Sequence, residues 1–410
     1  MADAAAVLPS SAALFLFAPC PRGLEAVLVD ELAELADLGT SPNANAIAGG
    51  VHFRGTLADV YRVNLRSRIA SRVLLRVAQG RYRSDEDIYK LARAEDWCAW
   101  FDAERSLRVD VTTGSGRSRS PLKSIEFVTL RIKDAVCDRL RAETGKRPDI
   151  DTRAPDVRVF AYLDAETCTL YLDTSGDALF KRGWRTETVE APLRENLAAG
   201  ILRLAGWKPG TALLDPMCGS GTFIVEAAQT ALAIAPGAHR HFGFEKLKNF
   251  DAALWESLRN VVPAKTAANV DDVHLLHASD VSGDAVVLTR ANLERAGIAP
   301  EIALAIAPKQ IDVRHIKPPA PGGILVVNPP YGERIGLRGA AREEADPETF
   351  FAEFGNTLKQ RFAGWQCHIL TSDMAFQRKL HLAPSRRVPL FNGAIECRLY
   401  RFDLVEGRKQ

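Results

Sequence analysis

The run Gly322-Gly323-Ile324-Leu325-Val326-Val327 ends at Asn328-Pro329-Pro330-Tyr331, and this junction restricts the fold more than any other stretch of the chain. A continuous apolar segment without alternation reads as a strand buried on both faces, as in a parallel sheet covered by helices. The paired prolines end it, because neither has an N–H to give to a neighbouring strand. In open α/β sheets the carboxyl ends of the strands carry the ligand. Asn328, Pro329, Pro330 and Tyr331 are therefore the candidate catalytic residues. An Asn oxygen and a backbone carbonyl can accept both hydrogens of a planar amino group. That localises its lone pair and aims it at a methyl donor, while an aromatic ring stacks on the base and excludes water. An ordinary strand-to-turn junction uses the same residue types, so the rest of the pattern has to decide.

The rest of the pattern lies upstream. Leu213-Leu214-Asp215-Pro216-Met217-Cys218-Gly219-Ser220-Gly221-Thr222 reads as a strand, a glycine turn and the opening of a helix. Glycines allow a sharp turn and close approach of a ligand, and a helix start offers free N–H groups. The dinucleotide fingerprint is excluded because Ile224 stands where its third glycine belongs, and no Gly-Lys-Ser/Thr follows to make a phosphate loop. An adenosyl sulfonium ligand has no phosphates, so a shorter glycine loop suffices. Two carboxylates complete the set. Asp280 ends the run Val273–Asp280 and can take both ribose hydroxyls from the end of a second strand. Asp312 falls where a third strand should end and can accept from an adenine amine. Either acid could instead be a helix N-cap.

These two motifs together resemble the THUMP-domain guanine-N2 methyltransferases, in particular the 23S rRNA enzyme family of bacteria. The likeness extends to Phe15–Glu25, Asn64–Leu74, Phe180–Arg185, Glu190–Ala199, Gly243–Lys246 and Phe250–Trp255. It implies a Rossmann-like class I methyltransferase domain preceded by a ferredoxin-like/THUMP α+β RNA-binding region. The expected division is 1–52 (ferredoxin-like), 53–173 (THUMP), 174–189 (linker) and 190–410 (methyltransferase). It further implies S-adenosyl-L-methionine as cofactor, lined by Asp215, Cys218, Gly219, Ser220, Gly221 and Thr222, with Asp280 at the ribose and Asp312 near the adenine. The chain departs from the family at Ala278, where a glycine is common, and at Ser282-Gly283, which replaces an acidic-proline pair. The long gap between Asp215 and Asp280 is filled by the insertion around Gly243–Trp255. Some relatives carry a second methyltransferase domain at the carboxyl end; this chain is expected to carry only the first activity.

Composition adds where the substrate should bind. Net charge is only +2, so nucleic-acid affinity must come from local asymmetry. Residues 54–133 hold seventeen Lys or Arg against ten Asp or Glu. Arg66, Arg68 and Arg72 lie in the densest part; Arg117, Arg119 and Lys123 follow the Gly114-Ser115-Gly116 turn. Spaced cations around such a turn suit an RNA backbone. Seven scattered cysteines without a Cys-x-x-Cys pair indicate a reducing compartment and no zinc site. Asp3 and the Pro9-Ser10-Ser11 break argue against a signal peptide, and no apolar run is long enough to span a membrane. The expectation is a cytoplasmic monomer that methylates the N2 amine of a guanosine in 23S rRNA. A tRNA guanosine-N2 enzyme of the same architecture is the nearest alternative. A DNA or protein amide methyltransferase and a non-catalytic RNA-binding assembly factor are more distant ones.

Overall fold

A computed structural model of the protein describes residues 13–35, 44–185, 193–260, 270–329 and 346–405. The chain divides into two compact units. The first comprises Met1–Pro19, Glu31–Leu179 and Arg240–Val261; the second comprises Cys20–Asp30, Phe180–His239 and Val262–Gln410. Each has one seven-stranded sheet among the described residues. No helix among them is long and apolar enough to cross a membrane.

The strands of the first unit are β1 (Leu14–Pro19), β2 (Asn45–Ile47), β3 (Gly50–Gly55), β4 (Leu74–Arg81), β5 (Leu107–Thr113), β6 (Val157–Leu163) and β7 (Thr167–Asp173), in the spatial order β2-β3-β1-β4-β7-β6-β5. All pairings are antiparallel except β5–β6. Period-2 patterning explains the sheet: Leu14, Leu16 and Ala18 are buried, and Phe15 and Phe17 between them are not. Helix α1 (Glu25–Leu35) follows β1. Helices α2 (Leu57–Arg66) and α3 (Asp85–Ala94) each begin at a capping box, Thr56 with Asp59 and Ser84 with Asp87. Helix α4 (Ile125–Thr144) is capped by Ser124 and ends at Gly145, whose φ of +74° suits glycine alone. Tyr61 of α2 stacks on Phe244 with centroids 4.3 Å apart, and its hydroxyl accepts from the Asp251 N–H at 2.9 Å. Those contacts hold the segment after Arg240, including helix α7 (Ala252–Arg259), on the first unit.

The second unit has β8 (Leu213–Asp215), β9 (Leu276–Asp280), β10 (Lys309–Gln310), β11 (Gly323–Val327), β12 (Trp365–Thr371), β13 (Arg386–Asn392) and β14 (Ile395–Asp403), in the order β10-β9-β8-β11-β12-β14-β13. The pairings are parallel from β10 to β12, and β14 runs antiparallel to both β12 and β13. The apolar run before Asn328 is indeed a central parallel strand. Its helices are α5 (Glu195–Leu204), α6 (Thr222–Ala231), α8 (Gly283–Arg295), α9 (Pro300–Ile306), α10 (Pro347–Arg361) and α11 (Phe376–Lys379). Helix α10 presents Phe350, Phe351, Phe354 and Leu358 at helical spacing to a core with Leu325, Val327, Trp365, Ile369 and Phe402. Each such side chain contributes roughly 1.5–3 kcal/mol by burial. Two expectations were too generous to strand: the first three residues of the Val273–Asp280 run belong to the 3-10 turn Val270–Leu275 that leads into β9, and β10 is only two residues long. Strand order reverses between β8 and β11, and a ligand crevice forms at such a switch point.

Candidate active site

Three loops meet the carboxyl ends of β8, β9 and β11. After Asp215 the chain turns through Gly219 (φ +54°) and Gly221 (φ +80°) into α6. Both are left-handed positions that favour glycine. At Gly221 space forbids a side chain as well, since a Cβ would lie 2.7 Å from Thr289 Cγ2. The loop is tied to β9: the Cys218 N–H donates to the Ser279 carbonyl at 3.0 Å, and the Gly219 N–H donates to Asp280 Oδ2 at 2.9 Å. The Ser282 N–H donates to Asp280 Oδ1 at 2.9 Å, and Ser282 caps α8.

Asp215 is buried and, among the described residues, receives one hydrogen bond, from the Met217 N–H at 3.3 Å. Burial pushes its carboxyl well above the ordinary range; that N–H opposes the shift and nearby Asp280 adds to it. Burial also raises Asp280, against the donors from Ser282 and Gly219. Neither acid forms an ion pair among the described residues. Asp312 differs. It caps the 3-10 turn Val313–His315, and both its oxygens are held by Arg314, Nη2 to Oδ2 at 2.7 Å and Nε to Oδ1 at 3.0 Å. Burial alone would raise it, but Arg314 outweighs burial and holds it below the usual range. Any contact to an adenine would use the lone pairs that Arg314 leaves.

The sulfur of Cys218 is buried, accepts weakly from the Thr289 hydroxyl at 3.5 Å, and is held as the neutral thiol by burial and by the charge of Asp215. A nucleophilic thiolate is thereby disfavoured. Asn328 leaves β11 with its Oδ1 buried and without a hydrogen-bond partner among the described residues; Pro329, next to it, is buried. Pro330 and Tyr331 lie outside the described residues.

A second layer of polar groups was not singled out in the sequence. On α8, Thr289 donates to the Gly219 carbonyl at 2.9 Å and Asn292 Nδ2 donates to the Ser220 carbonyl at 2.8 Å. Arg295 Nη2 donates to Asn292 Oδ1 at 2.6 Å. Thr289 and Asn292 are buried. Arg185 Nη2 donates to the Thr222 hydroxyl at 2.7 Å. Arg182 and Glu226 form an ion pair of 3.1 Å with both side chains almost fully buried. The available signal was weak: polar residues three apart on one helix, and two arginines in the Phe180–Arg185 stretch.

The six cations singled out for RNA fall in two groups. Arg66 donates to the Leu258 carbonyl at 3.4 Å, and Arg72 pairs with buried Asp173 and donates to the Gly176 carbonyl. Asp173 is pushed up to about 6 by burial, with Arg72 opposing. The backbone N–H of Arg68 donates to Glu31 at 2.9 Å. Arg117, Arg119 and Lys123 are exposed between β5 and α4. One further grouping has metal-ligand types, Asp96, Cys98 and Glu143, with ligand atoms within 4.8 Å of one another. Burial and a hydrogen bond to Glu143 push the Cys98 thiol up to about 11, so it stays protonated.

Residues 182–401 match the family described as RMKL-like, methyltransferase domain. The chain belongs to the RMKL-like methyltransferase family. Residues 82–173 match the THUMP domain and 15–74 the RlmL ferredoxin-like domain. This RMKL-like methyltransferase is 38% identical over 400 residues to a Psychromonas ingrahamii protein named ribosomal RNA large subunit methyltransferase K/L, covering 96% of this chain and 51% of that one. The chain thus spans about half the length of the curated relatives it first matches. A Synechocystis sp. protein, slr0064, whose name assigns RNA methyltransferase activity provisionally, is 34% identical, with 95% of this chain and 96% of that one covered. The crystal structure of SMU.472 with SAH superposes with a TM-score of 0.80 at 29% identity, covering 97% and 99% of the two chains. The RMKL-like methyltransferase therefore has the S-adenosylmethionine-dependent fold, with S-adenosylmethionine as cofactor. Its residues fit that group: buried Asp215 and half-buried Asp280 lie by a glycine turn without ion pairs among the described residues, so a ligand ammonium would relieve Asp215 and ribose hydroxyls would donate to Asp280.

Proposed function

We propose that the chain methylates the exocyclic N2 amine of a guanosine in 23S rRNA, with residues 1–52 and 53–173 gripping RNA, 174–189 as linker and 190–410 as catalytic domain. Support comes from the named relatives and, for the amine, from one observation above all: the buried, unpartnered Oδ1 of Asn328 at the sheet's switch point. An isolated buried acceptor costs roughly 1–3 kcal/mol, and an N–H donor from a substrate would remove that cost.

When bound, S-adenosylmethionine would supply an electrophilic sulfonium methyl group for the amine nitrogen, with S-adenosylhomocysteine as the leaving group. Asn328 Oδ1 and the Pro329 carbonyl accept the two amine hydrogens and aim the nitrogen lone pair. Tyr331 supplies the ring that stacks on the guanine, and Pro330 is assigned to the amine site with it. Alkylation acidifies the nitrogen, so its proton leaves to water without a dedicated base. Asp280 takes the ribose hydroxyls, and the glycine loop from Asp215 to Thr222 accommodates the methionine part. Arg117, Arg119 and Lys123 contact phosphates, with Arg66, Arg68 and Arg72 shaping the surface beside α2. The target base must leave its stack to reach the amine site.

The test is transfer of labelled methyl from S-adenosylmethionine to bulk rRNA and bulk tRNA from cells lacking the gene, followed by nucleoside analysis. Label in N2-methylguanosine of the large rRNA is expected. Label in tRNA alone would move the substrate and keep the chemistry. Label in a different nucleoside would overturn the assignment of the amine.

A further inference from the structure

The outward face of the first unit's sheet is aromatic and basic, and of the residues given a role above only Arg72 lies on it. Strand register fixes which side chains share this face. Phe15 lies opposite Arg54 and Phe17 opposite His52. Arg76 lies opposite Tyr171, Phe160 opposite Tyr171, and Tyr162 opposite Thr169. The alternate residues are the core: Leu16, Val159, Ala161 and Leu172 are all buried. Rings and guanidiniums therefore form one row per strand, from β3 across to β6.

Phe17, His52 and Tyr171 are in contact and Tyr171 is buried, but other rings of the face are exposed. Phe17 meets His52 at 4.6 Å and Tyr171 at 6.1 Å between centroids. Phe15 keeps 41% of its surface exposed and Tyr162 keeps 38%. They sit on β1 and β6, three strand spacings apart, or about 14 Å. The guanidiniums of Arg54 and Arg76 lie over the Phe15 ring, at 4.5 and 4.0 Å from its centroid. Neither forms an ion pair among the described residues. Farther along the face Arg72 pairs with Asp173, Arg108 and Arg158 share Asp110, and Arg81 forms no ion pair among the described residues. Two uncompensated guanidiniums thus lie over one exposed ring.

We propose that this face is a stacking platform for single-stranded RNA, a second contact surface distinct from the Arg117–Lys123 turn. Unpaired bases lie on Phe15 and Tyr162, and Arg54 and Arg76 meet the backbone phosphates between them. Aromatic rings interleaved with arginines on an open sheet suit unstacked bases, whereas a duplex keeps its bases stacked on one another. A protein partner fits less well, because covering the face would bury two guanidiniums without counter-charges. The proposal rests on the RNA reading of the previous subsection.

The experiment is fluorescence anisotropy with the full chain, using a labelled oligouridylate of about twelve nucleotides and an RNA duplex of equal length. Phe15→Ala with Tyr162→Ala is expected to weaken single-strand binding by at least about tenfold and leave duplex binding unchanged. Phe15→Tyr with Tyr162→Phe keeps both rings and should bind like the unsubstituted chain. Arg54→Ala with Arg76→Ala should lower the salt slope by about 1–2. Both exposed positions tolerate truncation, and an unchanged melting temperature verifies this. Single-strand binding unaffected by the double alanine variant overturns the platform alone. Loss of self-association in that variant, seen by sedimentation with RNA binding intact, also overturns it and assigns the face to a second copy. Failure of the unsubstituted chain to bind either RNA overturns the RNA reading and the platform together.

Discussion

Asn328→Ala should make the protein slightly more stable and nearly inactive. In the free protein Asn328 Oδ1 is buried without a partner among the described residues, which costs roughly 1–3 kcal/mol. Removing the amide abolishes that cost and loses the packing of one small side chain, on the order of 1 kcal/mol. The net favours the variant by about 1 kcal/mol, a rise in melting temperature of roughly 2–4 °C for a domain of this size. In the reaction the same acceptor meets an amine that gains positive charge. Loss of a pre-organised group of this kind lowers turnover by about 10²–10³. Because the bond strengthens only as charge develops, kcat should fall and affinity for S-adenosylmethionine should stay. Differential scanning fluorimetry, isothermal titration and steady-state transfer to rRNA measure the three quantities. A melting temperature several degrees lower, or turnover within about threefold of the parent, would refute the argument that this oxygen is kept unpaired for an amine.

Three further outcomes follow from the same geometry. Thr289→Val removes the donor to the Gly219 carbonyl while keeping side-chain shape, and should weaken S-adenosylhomocysteine binding about tenfold, near 1.4 kcal/mol, by titration calorimetry; a stability loss with unchanged affinity would make Thr289 purely structural. Asp215 and Asp280 are raised by burial in the free site, so they favour the ligand-free fold at low pH and lose that contribution as pH rises through their raised values. A cationic donor lowers them again, so its binding should release protons and weaken as pH falls toward the carboxylate range, and calorimetry in buffers of different ionisation enthalpy that finds proton uptake would contradict this. His368 of β12 is buried with neither ring nitrogen hydrogen-bonded among the described residues, and burial first, then Arg401, lower it from 6.5 to about 4. Its neutral form contributes stability above pH 6.5 that is lost as pH falls to about 4, about 3 kcal/mol in all; His368→Met should flatten the melting temperature between those pH values, and an unchanged profile would count against it.

The parts legible in the sequence were those whose cause is local. Residues 323–327 read as a buried parallel strand because nothing polar interrupts them before Asn328. The glycine loop was legible because Gly219 and Gly221 take backbone angles that few other residues reach. The acid after β10 was placed correctly in order but not in setting, since nothing near Asp312 in the chain says that Arg314 will hold both its oxygens while also reaching Glu353. Thr289 and Asn292 were missed for a different reason: their partners lie about seventy residues away, and a buried Thr or Asn looks like a surface one until its helix is docked. The aromatic-basic face was missed because Phe15, Arg54, Arg76 and Tyr162 come from four strands, and only register puts them on one side.

The distribution of satisfied and unsatisfied polar groups then carries information of its own. The carbonyls behind the glycine loop are paired with Thr289 and Asn292, and the buried charges of Arg182 and Glu226 are paired with each other. At the strand ends, among the described residues, Asp215 and Asp280 lack ion pairs and Asn328 Oδ1 has no partner. Packing alone would not produce that gradient, because each unpaired group destabilises the free protein. A site shaped for two ligands would. The acids lack what a sulfonium donor carries, and the amide oxygen lacks what an aromatic amine carries. The supporting layer fixes the glycine loop through the hydrogen bonds of Thr289 and Asn292. At Asp215 and Asn328 the stability forfeited is stability that ligands can restore, which is the relation expected between a strained functional site and the scaffold that holds it.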